Sequence, residues 1–251
     1  MTYAIPGSTP GGGGPIGETY GAVLVRADGA ARVVDALSGI RFTGWVAPPE
    51  SGWVVAIGDP GDGTVATGRS GVLEVGAALA AALDTVVLVA RVVVDRQLVL
   101  AAWRGADELG RYSSDPSREP GADDEVIDEP YGVEHADAFA TAVGRADAAD
   151  ELSDVLGEEL DPDSVYESER LARVLSLLGL PRWIVAAGAL PRDLPTGPRT
   201  RDLVRLGAGA TGAKGVMQGR AAATTRRRRP PPPAIADPPR ADDLGIDPWL
   251  L

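Results

Sequence analysis

The stretch 86-VVLVARVVVDRQLVLAAWRGADELGRY-112 decides how the chain is read. It falls into three segments, 86–94, 97–103 and 107–112, separated by Asp95-Arg96 and by Arg104-Gly105-Ala106. Runs rich in Val, joined by turns this short, predict an antiparallel meander. The first run is apolar almost without interruption rather than alternating. A strand of that kind is expected near the centre of a sheet, covered on both faces.

Working upstream, Tyr20–Arg26 reads as a strand that ends at Ala27-Asp28-Gly29. Residues 53–57 and 64–67 read as two more, joined through the turn formers Gly58 to Gly63 as a hairpin or wide loop. Val72–Leu83 reads as a helix from its Ala and Leu content, with Gly76 weakening it by roughly 1 kcal/mol relative to Ala. Downstream, 113–131 combines seven acidic residues with Pro116, Pro120 and Pro130 and reads as a long acidic loop. Helices are expected at 133–143, 146–156 and 164–178. The last carries an apolar stripe through Val165, Leu171, Val174, Leu175 and Leu178, with Gly179 at its end. Residues 183–187 fit a final strand or a helical turn.

The expected architecture is α+β: an antiparallel meander sheet in the first half, packed by helices from the second half. It occupies a single domain at 19–206. A flexible Gly/Pro-rich arm (1–18) precedes it, and a largely disordered tail (207–251) follows, with an Arg/Pro run and an acidic-apolar tip.

Composition excludes whole classes of chemistry. Among 251 residues there is no Cys and one His, which removes disulfides, thiolate metal sites, cysteine nucleophiles and multi-His centres. The charge is uneven: residues 1–198 hold 14 Arg against 31 Asp and Glu, whereas 199–251 hold 9 Arg and 1 Lys against 5 Asp. An acidic body repels nucleic acid and acidic membranes, while a basic tail attracts them. The N-terminal residues lack the basic and apolar regions of a signal peptide, and no apolar run approaches the ~20 residues of a membrane span. A cytoplasmic protein with no cofactor is therefore expected.

Three glycine-rich patterns resemble phosphate loops. Gly207-Ala208-Gly209-Ala210-Thr211-Gly212 spells G-x-G-x-x-G, but Arg226 to Pro233 arrives where the second strand of a dinucleotide fold belongs. The same segment departs from a P-loop, because Lys214 falls one place late and no Ser or Thr follows it. Gly61-Asp62-Gly63-Thr64 is similar to the GGDGT phosphate loop of lipid and NAD kinases, with Pro60 in place of the first glycine. With a second strand expected directly after it, a hairpin turn is the reading that fits.

Candidate ligand residues are Asp59, Asp62, Arg111, Asp115 and His135. Carboxylates at 59, 62 and 115 are oxygen donors for a cation. Arg111 sits where a strand enters the acidic loop, either contacting a ligand or tying the strand end to Asp115. His135, beside Glu134 and Asp137 at a helix start, has proton-transfer chemistry. These residues define one functional expectation, a metal- or carboxylate-based enzyme near the 58–64 and 113–131 loops. Arg226, Arg227, Arg228 and Arg229, followed by four prolines, define another: weak nucleic-acid binding with salt-sensitive affinity.

The favoured expectation is a protein-interaction or adaptor module whose body shows no evident catalytic constellation. Ile246, Trp249, Leu250 and Leu251 stand beside Asp242, Asp243 and Asp247 at the chain's end. Large apolar groups on such a tail are costly unless they dock, either on the body of the same chain or on a partner. The tip is similar in composition to the acidic, aromatic-ended tips by which bacterial single-strand-binding proteins hold their partners, and by that resemblance it would hold a protein partner.

Overall fold

In the computed structural model of the chain, the residues described are 18–59, 61, 63–118, 129–159, 167–194 and 196–218. Contacts divide the chain into Met1–Gly219 and Arg220–Leu251, and every described residue belongs to the first unit. Asp62, Arg226 to Arg229, Ile246, Trp249, Leu250 and Leu251 lie outside the described residues.

The apolar run at 86 forms β4 (Val86–Val93), and the meander continues as β5 (Gln97–Arg104) and β6 (Asp107–Ser113). Four more strands, β1 (Tyr20–Arg26), β2 (Gly44–Val46), β3 (Trp53–Gly58) and β7 (Val204–Leu206), complete an antiparallel sheet in the order β6-β5-β4-β1-β3-β2-β7. β1 and β4 pair directly, with Leu24 opposite Leu88. The side chains of β4 alternate between two cores. Val86, Leu88, Ala90 and Val92 face one, while Val87 and Val89 face the other. That explains the unbroken apolarity: both faces of the strand are covered.

The first core packs the sheet against α3 (Ala136–Val143), α4 (Ala149–Gly157), α5 (Glu167–Leu177) and a 3-10 segment, Arg182–Ala189. These are the second-half helices the sequence predicts. The opposite face is covered from the first half, by α1 (Ala30–Gly39) and α2 (Val72–Leu83). The sheet is thus the middle of three layers.

Two expectations are corrected. Residues 64–67 form no strand; Val65 N–H donates to Ser70 O, and a 3-10 turn, Thr67–Arg69, leads into α2. β3 pairs instead with β1 and β2. Nor does the folded body stop at 206: Ala208 N–H donates to Thr43 Oγ1 (3.0 Å) and Gly209 N–H to Phe42 O (2.8 Å). Residues 207–209 are therefore stitched to the segment between α1 and β2.

Candidate functional site

The structure places the sequence-chosen residues at three separate points. Arg111 on β6 and His135 just before α3 do meet. His135 Nδ1 lies 2.8 Å from Arg111 O, and its side chain rests on Gly110, where an added Cβ would come within 2.7 Å of the His135 Cβ and 2.9 Å of its ring. Tyr131 exchanges backbone hydrogen bonds with Ser113, so residues 131–135 form a strap along the outer edge of β6. An exposed strand edge invites pairing with another chain, and this strap closes part of it. The Arg111 side chain forms a bidentate pair with Glu108 (3.0 and 3.1 Å), which holds the Glu108 carboxyl below its ordinary range. It is therefore Glu108, and not Asp115, that is seen pairing with Arg111; Asp115 pairs with Arg118.

Asp59 lies at the end of β3 and pairs with Arg205 of β7, whose guanidinium stacks over Trp45 at 4.6 Å. Four inter-strand steps separate β3 from β6, about 19 Å at the usual strand spacing. Asp59 therefore does not share a site with Arg111 and His135. Among the described residues no group of three His, Asp or Glu is placed to hold a metal ion, and no helix is long and apolar enough to cross a membrane.

The polar cluster with the most unusual environment was not singled out from the sequence. It lies where the β4–β5 turn meets the start of α5. Val94 and Asp95 both adopt left-handed backbone (φ 52° and 54°), which is strained for a β-branched residue such as Val94. The turn is held from β1's approach, since Val94 N–H donates to Thr19 Oγ1 (2.8 Å) and Asp95 N–H to Glu18 O (2.9 Å). Asp95 in turn caps α5 from 73 residues away. Its Oδ1 accepts from Ser168 N–H (2.8 Å) and its carbonyl from Glu167 N–H (3.3 Å). Orphan amides at a helix start need such acceptors, and an acidic one also complements the helix dipole.

Behind this cap, Glu167 and Arg170 are buried together, their side chains 8% and 2% exposed. Arg170 donates to Tyr112 OH (2.5 Å), Leu156 O (2.8 Å) and Glu158 O (2.7 Å). Its Nε lies 3.2 Å from Glu167 Oε2 without hydrogen-bond alignment. Burial pushes the Glu167 carboxyl above its ordinary range; the Arg170 charge and the Ser114 hydroxyl pull it back, and Asp95 and Asp115 push it further up. Asp115 is thus the one sequence-chosen residue that reaches this cluster. Burial likewise raises the hydroxyls of Tyr112 and of Tyr20, which donates to Ser168 Oγ (2.9 Å). A carboxyl held up by burial has the character of a proton donor, and the same contacts fix α5 to the sheet.

Clefts open to solvent lie elsewhere on the body. One of about 420 Å³ lies between the β1–α1 turn and the end of α2, with Arg26, Asp28, Arg32 and Asp84 on its walls. Another, about 290 Å³, is lined by Arg41, Thr43, Thr64, Val65, Ala66, Thr67 and Ala208. Compared with known proteins, the chain matches no family model, no curated protein and no solved structure.

Proposed function

We propose that this chain is a cytoplasmic protein-interaction module, with a folded α+β body that carries a C-terminal docking tip. The observation that supports the reading is what the body does with the polar groups its sequence offers for chemistry. Arg111 is engaged by Glu108, His135 by the backbone of β6, Asp59 by Arg205 and Asp115 by Arg118. Each is committed to an intramolecular contact that fixes the fold. The partner is then recognised by the tip, where Ile246, Trp249, Leu250 and Leu251 supply apolar anchors beside carboxylates. Aromatic anchors of this kind dominate interface energetics.

The test compares the full chain, a 1–240 truncation and Trp249→Ala as baits in native extract. A captured protein is then purified and titrated against each. A partner that binds the full chain directly and loses at least ten-fold in affinity to Trp249→Ala supports the reading. Identical catches and affinities from all three baits refute it.

A further inference from the structure

Two of the glycine-rich stretches that look like phosphate loops in sequence are brought to one cavity. It is the 290 Å³ cleft, to which the first contributes Thr64 and the second Ala208, with Arg41, Thr43 and Thr67 between them. The segments are laced together by their backbones. Ile40 O accepts from both the N–H and the hydroxyl of Thr67 (3.0 Å each), Thr43 N–H donates to Val65 O (2.7 Å), and Ala208 N–H donates to Thr43 Oγ1 (3.0 Å).

What this lacing leaves over is suited to an anion. The Thr43 oxygen accepts from Ala208, so its own O–H remains available to donate. The Thr64 hydroxyl and the Arg41 guanidinium have no hydrogen-bond or ion-pair partner among the described residues.

The backbone at Arg41 adds an independent argument. α1 ends in a Schellman arrangement, with Phe42 N–H donating to Leu37 O (2.9 Å) and Arg41 N–H to Ser38 O (3.0 Å), and Arg41 itself is left-handed at φ 56°. Glycine is the default residue at that position, because it has no Cβ penalty there. Ala208, on the same cavity wall, is left-handed as well (φ 48°). Non-glycine residues held in this region at two walls of one cavity are strain that a stability optimum would remove. Such strain concentrates at ligand sites. Arg41 and three threonines line this same cleft.

We infer that this cavity is a phosphate site, accepting inorganic phosphate or the phosphate group of a small monoester. Arg41 supplies the charge, and the Thr43 and Thr64 hydroxyls donate hydrogen bonds. The inference is independent of the docking tip.

The experiment is an amide NMR titration of the full chain with inorganic phosphate, and in a second arm with glycerol 2-phosphate, at constant ionic strength set by chloride. The expected result is saturable shifts at Thr43, Thr64, Thr67 and Ala208. Tighter saturation by one probe identifies the source of the phosphate. Arg41→Gly relieves the left-handed strain, so its thermal midpoint is expected to rise by a few degrees while phosphate affinity falls at least ten-fold. Thr64→Ala, at an exposed site, is expected to weaken binding several-fold in an unperturbed fold. Shifts that never saturate, shifts reproduced by chloride, or unchanged affinity in Arg41→Gly each overturn the proposal.

Discussion

Replacing Arg170 with methionine takes a cation out of a buried cluster and leaves its partners behind. The methionine stem fills much the same space, so the loss is electrostatic rather than a cavity. Three charge-assisted hydrogen bonds disappear, to Tyr112 OH, Leu156 O and Glu158 O, together with the 3.2 Å ion pair to Glu167. Removing one member of a buried pair costs about 3–5 kcal/mol, chiefly because the other charge stays buried without compensation. Arg170→Met is therefore expected to lose that much in urea unfolding at neutral pH, with an unchanged m-value. Arg170→Met/Glu167→Met removes the stranded carboxylate too and should regain at least about 2 kcal/mol over the single variant.

The pH dependence has a definite sign. Burial raises the Glu167 carboxyl in the folded state, and losing Arg170 raises it further. A raised carboxyl favours the folded state while protonated, and that contribution is lost as pH rises through the folded-state value. The penalty in Arg170→Met is thus largest at neutral pH and shrinks towards the ordinary carboxylate range. A loss below about 1 kcal/mol, or one that does not change on mild acidification, would refute this account of the cluster.

Other outcomes follow from single contacts. Val94→Gly relieves a left-handed β-branched residue that is 45% exposed, and should raise stability by about 1 kcal/mol in thermal unfolding; a fall in midpoint would count against the strain. Asp95→Ala removes the cap on α5 and is expected to cost about 1–2 kcal/mol, with faster hydrogen exchange at Ser168, whereas Asp95→Asn keeps an acceptor and should lose much less. Gly76→Ala improves helix propensity by about 1 kcal/mol, yet its Cβ would stand 2.3 Å from Val89 Cγ2. The clash dominates, and the variant is expected to lose about 1–3 kcal/mol in the same assay.

Gly76 also separates what local sequence conveys from what packing adds. Read in its own helix it is a weak point, and only the crossing of α2 over β4 turns it into a requirement. α1 escaped notice for a related reason. It spans ten residues, lacks a side-chain cap and fully buries just Val33 and Leu37, the rest of its apolar face being the half-buried Ala30, Val34 and Ala36. β2 and β7 have three residues each and exist because they pair with each other and with β3. The hairpin expected at 53–67 failed because both partners of β3 precede it in sequence, β2 across the turn at 47–52 and β1 beyond α1, so none lies across the turn that follows it.

The meander and the second-half helices were legible because their information is local: alternation, apolar runs, short turns and a helical stripe act between residues a few positions apart. The burial of β4 on both faces could be read from its composition, since an unbroken apolar strand needs two cores. Which helices supply the second core could not. Nor could the cluster at α5, where Glu167 and Arg170 carry the charges of a solvated helix face and become buried only when Asp95, Tyr112 and Leu156 close over them. The glycine-rich segments around Thr64 and Ala208 look in sequence like two unrelated turns. Their meeting at Arg41 is set by the register of β2 between β3 and β7. Desolvation and convergence depend on groups distant along the chain, so the tertiary structure alone decides them.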